Sequence, residues 1–414
     1  MLEMQSVLRT IRNRDAEIKA WAYLPEGDGR DEGGSPEPPG ERHQSLKGLL
    51  FGVKDVIDVQ GMPTACGASL AQTPLSVFDA SCVAQLRAAG AVPIGKTVTA
   101  EYAFTTPGPT RNPWNPAHTP GGSSSGSAAA VAAGMVPMAL GTQTGGSIIR
   151  PAAFNGVVGF KPSFGYVHRA GMTVLCDTLD TIGWFTREVE LAIQVANVFL
   201  PAPPTQLPAT SSLRVAVLPC VGQTPLSFEA RNTLDQVAAA LEPHCGPLEW
   251  LYPDQDVEAL RALHAKIMRY ELARGLLPIW RAEPRALSAV TVEAMVQGLR
   301  LGPDEYADMQ ARRAEIQLRW RSQFAEYDVI MAPSAPGQAP EGLSTTGSST
   351  FNCIWSLLGW PSIHLPCALS PKGLPMGVQW VGKPGQDAVL LQWAKRLHAV
   401  IDQRGDKADQ WPEN

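Results

Sequence analysis

PGGSSSGSAAAVAAGMVPMALGTQTGGSIIRPAAFNGVVGFKP, residues Pro120 to Pro162, is the stretch around which the rest of the chain is organised. Two glycine–serine clusters, Gly121-Gly122-Ser123-Ser124-Ser125-Gly126-Ser127 and Thr144-Gly145-Gly146-Ser147, flank an alanine-rich segment and a short apolar run. Glycine lets backbone N–H groups turn inward and lets a ligand approach closely. Serine supplies a hydroxyl that attacks, relays a proton or caps a helix. One such cluster is a common helix-entry loop. Two across one helix–strand unit, with little other polarity between them, point to a site. The pattern predicts a helix over Ser125–Gly134 whose small side chains suit a buried central position. A strand follows over Met135–Leu140, then a helix starting near Ile148, because Pro151 is tolerated only in a first turn.

Outward from this stretch, residues 2 to 23 show helical spacing, with Val7, Leu8, Ile11 and Ile18 as candidate buried positions. Glu26 to Gln44 is rich in Gly, Pro and charge and reads as a loop. Leu49–Val53 is a short apolar strand with Lys54 at its end. Asp79–Gly90 reads as a helix capped by Asp79 or Ser81, facing Val83 and Leu86 inward and stopped by Gly90. Strands are expected at Ala91–Gly95, Asn155–Lys161, Leu213–Leu218, Val329–Ala332, Ser362–Pro366 and Gly377–Val381. Val257–Phe324 reads as mostly helical, Asp387–Ile401 as a closing helix, and the tail from Asp402 as polar and loose. Alternating strands and helices without a repeat or a sharp composition break predict an α/β fold, a single large mixed β-sheet flanked by helices on both faces. One domain over 1–414 is expected, with a catalytic core at about 45–200, a variable helical region at about 202–326 and a C-terminal part of the sheet at about 327–401.

Three motifs compete for the chemistry. Gly90-Ala91-Val92-Pro93-Ile94-Gly95-Lys96-Thr97 matches the phosphate-loop pattern, but a helix precedes it and Pro93 has no N–H to offer a phosphate. Gly122-Ser123-Ser124-Ser125-Gly126 matches the nucleophile elbow of α/β-hydrolases. That elbow needs a buried strand before it, where this chain has Asn115-Pro116-Ala117-His118-Thr119-Pro120, and a downstream histidine, for which His364 and His398 are available. The third reading joins both serine clusters to Lys54. A serine hydroxyl is a poor nucleophile until a base takes its proton. A lysine is that base only when neutral, and burial after Leu49-Leu50-Phe51-Gly52-Val53 lowers its pKa.

The clusters resemble the signature of the amidase signature family, densely from about Gly48 to Arg187 and again from Tyr327 to Ala394. In the latter part Asn352, Gly359-Trp360-Pro361 and Gly373–Gln379 look like the family's C-terminal part. The resemblance implies Ser147 as nucleophile, Ser123 as relay serine with a cis Gly122–Ser123 peptide, and Lys54 as base. It implies backbone N–H groups of Thr144, Gly145, Gly146 and Ser147 as oxyanion donors. Ser124 and Thr142 are supporting candidates beside Lys54 or the relay serine, or a helix cap and a strand-end polar residue. Many relatives place arginine two positions after the nucleophile. Here Ser147-Ile148-Ile149-Arg150 places it third, which looks like the malonamidase-like branch, where that arginine binds a substrate carboxylate. A structural ion pair with an aspartate is the other reading of Arg150. From Ala202 to Phe324 nothing is diagnostic.

Composition limits the alternatives. Hydrophobic residues make up 44% and charged residues 18%, which fits a globular chain with a sizeable core. A net charge of −5 gives no reason to expect nucleic acid or an anionic membrane as partner. No apolar run approaches the roughly 20 residues of a membrane span, and the charged N-terminus lacks a signal-peptide core. The seven cysteines (66, 82, 176, 220, 245, 353, 367) form no Cys-x-x-Cys pair, and the odd count suits reduced thiols and a cytoplasmic setting. No metal site and no cofactor are expected. The reading is an amidase for a small linear amide, a small-molecule substrate with a carboxylate near the scissile carbonyl, and it leaves room for a homodimer. Two alternatives stand beside it. One is the amidase subunit of a tRNA-dependent amidotransferase, placed second by Arg150 and the lack of a basic patch. The other is a non-catalytic or nucleotide-binding relative.

Overall fold

The computed structural model describes residues 2–25, 45–70, 72–202, 209–219 and 224–402. The Glu26–Gln44 loop and the tail beyond 402 therefore lie outside the described residues. Among those described, an 11-stranded sheet runs in the order Trp21–Tyr23, Val92–Thr97, Leu50–Lys54, Met138–Gln143, Thr181–Thr186, Val158–Lys161, Ser362–Leu369, Pro375–Val381, Val329–Pro333, Val215–Val217, Glu249–Trp250. It is mixed. Leu50–Lys54 is parallel to both of its neighbours, while the strands from Met138–Gln143 to Val329–Pro333 pair antiparallel in sequence across the sheet. No described helix is long and apolar enough to cross a membrane.

The two faces of the sheet follow from side-chain alternation. Met138, Leu140, Phe160 and Trp184 belong to one core. That side receives the helix Val189–Phe199, whose Ala192 carbonyl accepts the Trp184 indole N–H at 3.1 Å. Ala139 and Phe185 belong to the other core, with the alanine helix Ser125–Ala132 and Trp21. Every residue of that helix is buried. It has no polar face to give to solvent, so it sits between the sheet and the N-terminal helix Leu2–Ile18, which buries Ile11 and Ile18.

Several boundaries differ from the sequence reading. Trp21–Tyr23 is an edge strand rather than the end of the first helix, because Trp21 and Tyr23 pair with Thr97 and Lys96. The helix Ser81–Ala88 has Ala80 at its N-cap without a side-chain cap bond. Asp79 instead accepts the Gln60 N–H at 2.8 Å and pairs with Arg87 at 2.9 Å. Asn155 ends the helix Ile149–Asn155 rather than opening a strand. Its side chain donates to the Pro120 and Pro151 carbonyls, both at 2.7 Å, which fastens the start of the first glycine–serine cluster to the helix that follows the second.

The alanine helix comes so close to the sheet that a Cβ on Gly126 would overlap the Ala20 carbonyl oxygen and the Val98 amide. Both are backbone atoms and cannot swing aside. In an open helix Gly→Ala gains about 1 kcal/mol. Here overpacking of about 1–3 kcal/mol opposes it and has no soft neighbour to absorb it. Gly126→Ala is therefore expected to lower stability, seen as a lower urea midpoint. An unchanged or raised midpoint would show that the helix can retreat.

Candidate active site

Lys54 ends its strand beside the parallel strand Met138–Gln143, with Val53 opposite Leu140. That register carries Lys54 alongside Thr142. Its Nζ donates to Thr142 Oγ1 at 2.7 Å and to Ser123 Oγ at 2.7 Å. Carboxyl ends of parallel strands are where open α/β sheets build their sites. Ser123 arrives there because Gly121 and Gly122 adopt φ of 79° and 64°. A side chain at 122 would strike Pro151 at 2.6 Å and approach the Ser147 Cα at 3.3 Å, so the two serine clusters meet across this glycine. The Gly122–Ser123 peptide is trans, like every peptide among the described residues, in contrast to the cis bond the resemblance implied. Two consecutive left-handed glycines already turn the chain enough to present Ser123 to Lys54.

Ser124 makes no hydrogen bond to Lys54 and is not a side-chain cap. Its hydroxyl donates to the Thr142 carbonyl at 3.1 Å and accepts the Thr142 N–H at 3.2 Å, holding the backbone whose side chain meets Lys54.

The second cluster is the bend from the Met138–Gln143 strand into the Ile149–Asn155 helix. Gln143 Oε1 accepts the N–H groups of Ile148 and Ile149 at 2.9 and 3.1 Å, which satisfies the helix start from within the chain. Thr144 Oγ1 donates to Asp180 Oδ1 at 2.5 Å. Asp180 also accepts the Leu175 and Cys176 N–H groups. Thr144, Gly145, Gly146 and Ser147 border a cavity of about 380 Å³ shared with Phe104, Glu258, Arg261 and His264. Among the described residues no protein group accepts the N–H groups of Gly145, Gly146 and Ser147.

Arg150, on the first turn after Ser147, reaches the same cavity. It is buried, and among the described residues its guanidinium makes one hydrogen bond, from Nη2 to Thr346 Oγ1 at 3.3 Å, leaving Nε without a partner. Among the described residues no carboxylate pairs with it, so the aspartate ion pair that was its alternative reading is not formed there. Burial lowers its pKa to about 10, which still leaves it charged at neutral pH.

The competing motifs are used otherwise. Gly90–Thr97 is mostly strand. Lys96 is fully buried, donating to Asp55 Oδ1 at 3.0 Å, the Pro63 carbonyl at 2.8 Å and Thr64 Oγ1 at 2.8 Å, so it has no hand for a phosphate. His364 is buried in the strand Ser362–Leu369 with Nδ1 2.7 Å from Ser334 Oγ, a serine outside both clusters. Asp180, His264, Thr346 and Ser356 escape the sequence reading. Asp180 precedes a strand interrupted by Gly183, and His264 is a lone histidine in a charged helix. Neither leaves a local motif.

The family model described as Amidase matches residues 30–391. The A subunit of glutamyl-tRNA(Gln) amidotransferase from Synechococcus sp. (strain WH7803) is 32% identical over 418 aligned positions, covering 88% of this chain and 85% of that protein. A crystal structure of an amidase superposes with a TM-score of 0.84 at 31% identity, covering 96% of this chain and 95% of that one. The crystal structure of the same A subunit from Thermotoga maritima gives a TM-score of 0.79 at 26% identity, covering 97% and 91%.

Burial lowers the Lys54 pKa from 10.5 to about 7, against the opposing pull of Asp180. The sign of the stability effect follows. Below about pH 7 both folded and unfolded chains carry the Lys54 proton, and burying the ammonium costs its full penalty. Between about 7 and 10.5 the unfolded chain holds a proton that the folded chain has released, so stability from this residue rises with pH. The difference in unfolding free energy between wild type and Lys54→Met should therefore move in wild type's favour by a few kcal/mol, on the order of 1.4 per pKa unit, from pH 6 to pH 10. Lys161, also lowered to about 7, is common to both proteins and cancels. Urea denaturation across that range measures it, and a difference flat in pH would mean that Lys54 is not desolvated.

Proposed function

The chain belongs to the Amidase family, and from that premise we propose that it cleaves the C–N bond of a small linear amide bearing a carboxylate, using Lys54, Ser123 and Ser147. One observation supports the chemistry above others: a lysine brought near neutrality by burial lies 2.7 Å from the hydroxyl of Ser123, and the glycine preceding that serine packs against the backbone of Ser147. A neutral Nζ keeps a lone pair for the Ser123 proton while an N–H remains on Thr142. Ser123 in turn takes the proton of Ser147, whose oxygen attacks the amide carbon. The N–H groups of the 144–147 loop receive the oxyanion, and losing one such donor typically costs about 100- to 1,000-fold in rate. The C–N bond breaks as the relay returns the proton to nitrogen and ammonia leaves. Water then attacks the Ser147 ester, gives its proton to the same relay and frees the acid.

The unpaired guanidinium of Arg150 supports a carboxylate on the substrate, since that fork matches a carboxylate in plane. An amino-acid amide such as glutamine carries one, and so does malonamate. A specific observation favours a second reading over a free-standing malonamate hydrolase. The similarity to the A subunit of glutamyl-tRNA(Gln) amidotransferase spans most of the chain. In that reading the same site releases ammonia and a partner subunit consumes it.

Ammonia release from matched acidic and neutral amides tests the proposal. Ser147→Ala should abolish turnover, and kcat/KM should rise with pH through about 7 as Lys54 becomes neutral. Hydrogen bonds to charged groups contribute about 1.5–3 kcal/mol, so Arg150→Ala should lower kcat/KM by roughly 10- to 150-fold on acidic amides only. Arg150→Lys should fall between the two. Equal losses on both amides would remove the carboxylate from the proposal. Ammonia release that requires an added partner subunit would select the amidotransferase reading.

A further inference from the structure

The carbonyls of the catalytic loop are tied down on the side away from its free N–H groups. His264 Nε2 lies 2.9 Å from the Thr144 oxygen. A carbonyl only accepts, so Nε2 carries the proton and Nδ1 the lone pair. Burial keeps this imidazole neutral by lowering its pKa to about 4. Ser356 Oγ donates to the Gly145 carbonyl at 2.9 Å while accepting from Gln143 Nε2 at 3.0 Å. The Gly146 carbonyl accepts the Arg150 N–H at 2.9 Å, the first turn of the helix.

In a trans peptide the C=O and the following N–H point in opposite directions. An anchored carbonyl at 144 thus fixes the N–H of Gly145, one at 145 that of Gly146, and one at 146 that of Ser147. Glycine supplies no side-chain resistance at 145 and 146, so these planes could rotate if unanchored. Helix initiation alone secures the last plane. The first two depend on side chains from remote segments, His264 on the helix Asp254–Gly275 and Ser356 on the helix Cys353–Leu358.

We infer that His264, with Ser356, is a positioning residue that sets the oxyanion-binding N–H groups of Gly145 and Gly146 by holding the carbonyls behind them. This gives a task to the middle region. It reaches back to the catalytic loop through one histidine, and Asp180 holds the Thr144 side chain on the same loop.

The inference rests on the amidase reading, and the experiment separates the two. A fluorophosphonate places a phosphoryl oxygen where the oxyanion forms, so its labelling rate reports the hole without knowledge of the substrate. No labelling of wild type at Ser147 would fail the amidase reading itself. Given labelling, His264→Leu, which keeps bulk but loses the donor, should label about 10- to 100-fold more slowly, short of the loss for a deleted donor. On any amide turned over, kcat should fall by a similar factor with KM changed less than about threefold, since the defect lies in the transition state. His264→Gln, whose amide nitrogen reaches as far as Nε2, should restore most of the rate. Ser356→Ala gives a second reading through the Gly145 carbonyl and serves if the leucine variant does not fold. Wild-type labelling rates in folded His264→Leu and Ser356→Ala would overturn the inference, as would a His264→Gln protein no faster than His264→Leu.

Discussion

A lysine amine held between two hydroxyls in a dry interior is the constraint on which the rest of the structure depends. A lysine at the surface keeps its proton at neutral pH and cannot take one from serine. Lys54 is fully buried, and burial is the largest cause of its lowered pKa. Keeping it dry needs a central strand, close neighbours on both edges and cover on both faces. The parallel neighbours Val92–Thr97 and Met138–Gln143 supply the first. The alanine helix supplies one face, and its small residues let it approach until Gly126 meets backbone. The buried pair Lys96–Asp55 one strand away shows the contrast. There a carboxylate and further oxygens share the ammonium, whereas among the described residues the Lys54 amine hydrogen-bonds only hydroxyls.

What is legible in the sequence is what local chemistry encodes. The two glycine–serine clusters, the strand into Lys54, the tolerated Pro151 and the alanine helix all carry their meaning in adjacent residues, and the structure brings Lys54 and Ser123 into contact. The strand Thr181–Thr186 escapes such a reading, because Gly183 interrupts its apolar run. In the sheet that glycine faces the Phe160 carbonyl of the neighbouring strand and the Ile148 side chain, a reason that exists only in three dimensions. Trp21–Tyr23 reads as helix because the spacing of Val7, Leu8, Ile11 and Ile18 runs up to it. Its strand character comes from pairing with Thr97 and Lys96, far along the chain. The sequence equally could not show that Arg150 lacks a carboxylate, since that depends on what the fold leaves out of reach.

The helix Cys353–Leu358 shows how packing becomes positioning. It is short and would not persist alone. Trp355 packs edge-on against Trp320 with centroids 5.7 Å apart and lies 6.1 Å from Trp360, which meets Phe324 edge-on. Aromatic contacts of this kind add about 0.5–1.5 kcal/mol beyond burial. They hold the helix against Pro303–Gln323, and Ser356 beside Trp355 is thereby aimed at Gly145.

This arrangement explains why a long middle segment can look undiagnostic and still bear on the site. A catalytic loop whose working groups are main-chain N–H needs no particular side chain for them, so its own sequence needs little more than glycine. The information that orients those groups resides in whatever grips the carbonyls behind them. A lone histidine in a charged helix and a serine in an apolar one can do that from any position that the fold brings within hydrogen-bonding reach. Their signal in one sequence is indistinguishable from an ordinary buried polar residue. The fold brings His264, on the Asp254–Gly275 helix, within 2.9 Å of the Thr144 carbonyl, and no pattern of residues near position 264 encodes that distance.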